Sequence, residues 1–182
     1  MTTLPYATMS VLPIRALLDA AATLGIETGR ALAEANVERS RIDDDLGRIT
    51  YPEVYAVVRA LEAQEADTSV ALATAERAMH LGLIETLVTT CPTLRDASRL
   101  TTEMMRLIAD GTTLSLREAP RESVYELTPH LGHPMPGMMA ELSLALIVRV
   151  CRKLLNRELR VSEVRFVHAR TKDASRLEAF FG

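Results

Sequence analysis

The chain has 182 residues, of which 48% are hydrophobic, and a formal net charge of −3. That is enough apolar chain to bury a sizeable core, and no linker-like stretch divides it, so one domain is expected. No apolar run nears the roughly 20 residues of a membrane span and no signal segment opens the chain, which points to a soluble, cytoplasmic protein.

Cys91 and Cys151 are far apart in predicted helical or core contexts, a usage that fits buried apolar residues better than a disulfide framework. Charge is uneven: residues 1–80 hold 7 basic and 12 acidic side chains, whereas Arg149 to Arg176 holds 9 basic and 3 acidic. Such a flank is either a solvated face or an interaction surface.

Met1 to Ser10 has no periodicity and reads as a mobile or loosely docked start. Ser10 can cap a helix whose stripe is Ile14, Leu17, Leu18, Ala21 and Leu24, with Pro13 in the first turn and Gly25 as the stop. A second short helix spans Glu27 to Ala35. The pair has the spacing of a DNA-binding helix-turn-helix, but the second helix offers Arg30 alone beside Glu27 and Glu34, too few donors for phosphates and base edges.

Asn36 to Arg48 is polar. Its run Asp43-Asp44-Asp45 lacks the alternation and glycine of a calcium loop and reads as solvated. Thr50 caps a helix to about Glu65 with Val54, Val57, Val58 and Leu61 inward, and Thr68 to Met79 forms another.

Gly82 to Thr128 is the organising stretch. A helix over GLIETLVTT breaks at Cys91-Pro92-Thr93. The next begins at Leu94 behind a Thr93/Asp96 capping box, the carboxylate reaching back to the cap. Leu94, Ala97, Leu100, Met104, Leu107 and Ile108 share one face, expected to be core, and Asp110-Gly111 ends the helix, with glycine supplying a left-handed residue. Alternation then predicts a β-hairpin in which Leu116 faces Tyr125 and Leu114 faces Leu127. Its loop is Ala119-Pro120-Arg121-Glu122, and Ser115, Arg117 and Glu126 lie on the wet side.

After the loop Pro129 to Pro136, Gly137 to Asn156 reads as the most buried helix, followed by a strand at about 161–168 and a last helix over Asp173 to Phe181. Helices packed on a small antiparallel sheet, the hairpin at about 112–128 plus that strand, make an α+β fold.

Catalytic signatures with specificity are lacking: no glycine-flanked serine, phosphate-cradling loop, dinucleotide fingerprint or paired-cysteine zinc motif occurs. His130 and His133 have HxxH spacing beside two prolines without an evident third ligand, so no metal site is expected. Met104, Met105, Met135, Met138 and Met139 form two clusters flanking the hairpin. They serve either plain core packing or an adaptable pocket, with Arg106 and His168 as polar groups beside it.

Several segments resemble a known family. Gly82-Leu83-Ile84, Cys91-Pro92-Thr93-Leu94-Arg95-Asp96-Ala97 and Arg106-Leu107-Ile108-Ala109-Asp110-Gly111 resemble the central signature of the N-terminal ligand-binding, arabinose-binding-like domain of a branch of AraC-type transcription regulators. Val164-Arg165-Phe166-Val167-His168, Phe180-Phe181-Gly182 and the Gly25-Ile26 and Arg48-Ile49 positions extend the likeness over most of the chain. Two departures are the Ala169-Arg170-Thr171 run where the family has prolines, and a stop at Gly182 where it continues into more strands and a linker.

The resemblance implies a bacterial sensor that binds a small organic effector, either an apolar compound or a carboxylic acid, and forms a homodimer. DNA would be bound only through a C-terminal pair of helix-turn-helix units, which lies outside this chain. The chain is then a piece of a longer regulator or a shortened stand-alone member, with a sheet edge open to pairing. Neither cofactor nor membrane is implied. The residues expected in the pocket are Met104, Leu116, Tyr125, His133, Met139 and His168. Two alternatives compete: a small enzyme using His130, His133 or His168 as acid and base, and a ligand-free interaction module, which a solid core in place of a cavity would favour.

Overall fold

The structure, a computed structural model, describes residues 7–64, 66–77, 83–119, 122–132, 134–156, 159–169 and 174–182. In chain order these form β1 (Thr8–Ser10), α1 (Val11–Thr23), α2 (Thr28–Glu34), α3 (Arg39–Asp43), β2 (Arg48–Thr50), α4 (Tyr51–Glu62) and α5 (Thr68–Arg77). There follow α6 (Leu83–Thr89), α7 (Leu94–Ile108), β3 (Thr112–Glu118), β4 (Ser123–Pro129), α8 (Gly137–Leu155) and α9 (Ser175–Phe181). The fold is α+β, with the helices packed around two separate antiparallel strand pairs, β1 with β2 and β3 with β4. None of the described helices is long and apolar enough to cross a membrane.

The dense part of the core is built by α1 and α4. Ser10 caps α1, its Oγ accepting from the Leu12 amide at 3.3 Å, and Ile14, Leu17, Leu18 and Ala21 are buried along one stripe. Leu24 is half exposed, because α1 ends at Thr23 and Gly25 turns the chain away at φ +83°.

At α4, Thr50 and Glu53 form a reciprocal capping box. Val54, Val57, Val58 and Leu61 are fully buried behind it. Arg41 donates to both Glu53 carboxylate oxygens, at 2.6 and 3.3 Å, and with the Thr50 bonds this holds the Glu53 carboxyl down at about 2. Since the folded-state value lies below the unfolded one, this stabilisation is present above about pH 4.5 and is lost as pH falls towards 2. Glu53→Gln is therefore expected to destabilise the protein by about 1 kcal/mol at neutral pH. It should also flatten the acid limb of the stability profile over that window, as followed by urea unfolding at a series of pH values.

The expected loose start is corrected for residues 7–10. Thr8, Met9 and Ser10 pair with Thr50, Ile49 and Arg48, and Met9 also bridges to Ala109. Arg48 fastens this ribbon by donating to Thr8 Oγ1 at 2.8 Å, the Leu107 carbonyl at 2.9 Å and Asp110 at 3.3 Å. Residues 1–6 lie outside the described residues. The polar stretch before β2 also contains α3, which buries Ile42 completely. Asp45 of the acidic run pairs with Arg15, and the Asp44 carboxylate accepts from the Leu46 amide.

In the organising stretch, α6 and α7 meet at the expected break. Thr93 Oγ1 accepts from the Asp96 amide at 3.1 Å, but the Asp96 carboxylate takes the Thr93 hydroxyl at 2.6 Å instead of reaching back to a backbone amide, so only half of the capping box forms. Gly111 does not have the expected left-handed backbone. Its reason is crowding: a Cβ there would sit 2.7 Å from the Tyr51 ring and 2.8 Å from Leu131.

The hairpin has the expected register, Leu114 against Leu127 and Leu116 against Tyr125, with Ser115, Arg117 and Glu126 exposed. Ala119 donates to the Glu122 carbonyl across the turn, whose Pro120 and Arg121 lie outside the described residues, as do Gly82, Arg170 and Thr171.

Two expectations for the C-terminal half are corrected. α8 is not the most buried helix: α1 and α4 bury more of their length, because one face of α8 borders a cavity. Residues 161–168 form no strand. Val164 and Phe166 pack on the core individually, and only Val161 makes a backbone bond across to Phe181. The alternation is satisfied by packing against helices, so no partner strand is needed to bury it.

Candidate ligand-binding site

A cavity of about 130 Å3 lies between α7, the β3–β4 hairpin and α8. Engineered cavities of about 150 Å3 lined by aliphatic residues stay dry and accept benzene, so this one is large enough for a small organic molecule. From α7 it receives Leu94, Ala97, Ser98, Thr101, Met105 and Ile108, a row at three- and four-residue spacing. The hairpin supplies Thr112, Leu114, Tyr125 and Leu127. From α8 come Met139, Leu142, Ser143, Leu146, Ile147 and Val150, with Cys151 and Leu154 below them. Met9, Pro13 and Tyr51 close the end next to the β1–β2 ribbon. All the described lining side chains are uncharged.

Polar atoms in the wall are few and engaged. Tyr51 and Thr112 share a hydrogen bond at 2.8 Å. The hydroxyls of Thr101 and Ser143 donate to the carbonyls of Ala97 and Met139 at 2.8 and 2.7 Å. The remaining polar spot joins three elements: Tyr125 is hydrogen-bonded to Ser98, and Cys151 lies within hydrogen-bonding reach of the same phenol. Burial pushes the Tyr125 hydroxyl up to about 12, and burial also raises the Cys151 thiol, so both are neutral across the physiological range. Cys91 and Cys151 are free thiols.

Residues 25–182 match the family model of the arabinose-binding domain of AraC transcription regulators, the N-terminal part of those proteins. The chain belongs to that family. No curated protein matches it.

Within this AraC-family domain, the cavity brings together only some of the residues expected from sequence. Tyr125 and Met139 line it, and so do Met105 and Met135 of the methionine clusters. Met104 is not among the lining residues and packs in a small second cluster with Val88, Ala97 and Leu100. The face of α7 that meets the cavity is turned by about one residue from the purely apolar stripe, which leaves Leu107 60% exposed and brings in Ser98. Leu116 is half-buried and is not among the lining residues, although Tyr125, its partner across the hairpin, is.

The histidines do not gather there. His168 stacks on Phe166 at 5.0 Å, faces Gly137 and sits 3.7 Å from Glu141. Helical spacing puts Glu141 on the face of α8 opposite the cavity. His130 is exposed and bonds Thr113 at 2.6 Å, and Arg106 is exposed as well. His133 lies outside the described residues. No group of three His, Cys, Asp or Glu side chains suited to a metal occurs among the described residues.

Sequence reasoning missed Ser98, Cys151, Tyr51 and Met9 as wall residues. For Ser98 a signal existed, since positions 94, 98, 101, 105 and 108 are an equally regular helical row. Met9 and Tyr51 arrive through the ribbon, which left no periodic trace.

Proposed function

We propose that this domain is the effector-sensing and dimerising part of a bacterial, cytoplasmic AraC-type transcription regulator, working by binding and not by catalysis. The observation that carries this reading is the apolar cavity between α7, the hairpin and α8, inside a chain that belongs to the family's ligand-binding domain. The same cavity weighs against a ligand-free interaction module. An acid–base enzyme is disfavoured by the separation of His130 and His168 from it.

The effector acts by binding one conformation better than another and shifting their populations. Support for a route outward comes from α8, which meets the cavity on one face and the C-terminal segment on the other. Arg152 donates to the carbonyls of Leu159 at 3.0 Å and Phe180 at 2.7 Å, and lies over the Phe180 ring. A shift of α8 towards or away from a ligand moves those anchors, and with them the basic flank leading to the helix-turn-helix pair of the full regulator. Dimerisation has a candidate route along the open edges of the β3–β4 hairpin.

Thermal-shift screening of the folded chain against small organic compounds tests the sensor reading. At least one compound is expected to raise the melting temperature in a concentration-dependent way. A well-folded sample unmoved by apolar compounds, carboxylic acids and sugars alike would overturn it, and sedimentation as a monomer at all concentrations would remove dimerisation.

A further inference from the structure

Building on the sensor reading, we infer that the cavity selects a neutral, mainly apolar molecule of about one aromatic ring or a short alkyl chain that carries a hydroxyl, an alcohol or a phenol, and rejects sugars and carboxylates.

The protons on the wall decide the ligand class. Ser98 Oγ is 2.6 Å from the Leu94 carbonyl, to which only the hydroxyl can donate. Its one proton is therefore used there, and in its bond with Tyr125 the phenol must be the donor. The chain runs from Tyr125 O–H to Ser98 to Leu94; the Cys151 S–H can take up one lone pair of the Tyr125 oxygen, and the other is left for a new donor. Thr101 and Ser143 have likewise spent their protons on helix carbonyls, and the bond between Tyr51 and Thr112 uses one of that pair's two protons. Around these atoms the wall is aliphatic side chains and methionine.

Such a wall accepts one hydrogen bond and offers few. A pentose would bring several hydroxyls to it, each buried without a partner at roughly a tenfold loss of affinity. A carboxylate would need several donors or a cation, and all described lining residues are uncharged, with the hydroxyl protons of Ser98, Thr101, Tyr125 and Ser143 committed and one proton left on the Tyr51–Thr112 pair. A single ligand hydroxyl donating to Tyr125 fits what the wall leaves open, and the flexible side chains of Met105, Met135 and Met139 can follow the shape of the apolar remainder.

The test is calorimetric titration of the full chain with 4-ethylphenol, 4-ethylbenzoate and L-arabinose, each repeated with Tyr125→Phe and with Ser143→Leu, after circular dichroism has established that both variants fold. The inference expects 4-ethylphenol to bind at least about tenfold more tightly than 4-ethylbenzoate, and L-arabinose to give no heat of binding. Tyr125→Phe should weaken 4-ethylphenol by about three- to tenfold, and Ser143→Leu should abolish its binding.

If 4-ethylbenzoate or L-arabinose binds as well as the phenol and Ser143→Leu removes it, the ligand class is wrong while the cavity still senses. Absence of binding by all three, or binding that Ser143→Leu leaves intact, overturns both the class and the sensor reading. An unchanged phenol affinity in Tyr125→Phe overturns the assigned hydrogen bond. Should Tyr125→Phe fail to fold, the preference among the three probes in the unsubstituted chain still decides the class.

Discussion

Replacing Leu61 with alanine should lower folding stability by about 3–5 kcal/mol, a fall in melting temperature of roughly 6–20 °C for a chain of this size. Leu61 is completely buried within the α4 stripe, next to Val57 and Val58, which are equally buried. Truncation there removes both the transfer energy of the lost carbons and their packing, and leaves a void whose walls cannot close. The contrast is Leu146, which is half-buried and already faces open volume. Leu146→Ala has fewer contacts to lose and should cost only about 1–2 kcal/mol. Urea unfolding of both variants checks the pair. Equal losses would mean that the α8 face is packed as tightly as the α1–α4 core.

Filling the cavity should have the opposite sign on stability and the larger effect on function. Ser143 lies on the cavity face of α8, and its hydroxyl proton goes to the Met139 carbonyl, which the helix already employs. Ser143→Leu therefore gives up little and places a branched apolar chain into the void. Burying it contributes about 1 kcal/mol, discounted from the full transfer value for imperfect fit. Any ligand in the cavity must then compete with that side chain, so affinity should drop at least about 30-fold. A gain in melting temperature together with lost binding is the signature expected of a site kept open for function at the expense of stability.

How much of this was readable from the residues depended on whether a local pattern matched its tertiary partner. Ile14, Leu17 and Leu18 in α1, and Val54, Val57, Val58 and Leu61 in α4, fall inward as their spacing implies, because both helices face a filled core. The hairpin register followed from alternation and loop length. By contrast, β1 and β2 are three residues each and pair across some forty residues of chain, which leaves no periodic signal. The alternation of Val164 and Phe166 was real, but helices absorb it and no strand does.

On α7, apolar residues alone pointed to Met104 and Leu107, whereas the wall is set by Ser98, Thr101 and Met105. A stripe drawn from hydrophobicity assumes a packed neighbour, and here the neighbour is a void. For the same reason the lining of the cavity was only partly legible. Tyr125 and Met139 are in it, while His168, read as a polar pocket group, instead sits beside Glu141 behind α8.

The most direct test of the central claim is diffraction from crystals of the chain grown with saturating 4-ethylphenol. The account predicts ring density between α7, the hairpin and α8, with the ligand hydroxyl within hydrogen-bonding distance of Tyr125. An empty cavity at saturation, or density only on the outer surface, would contradict it.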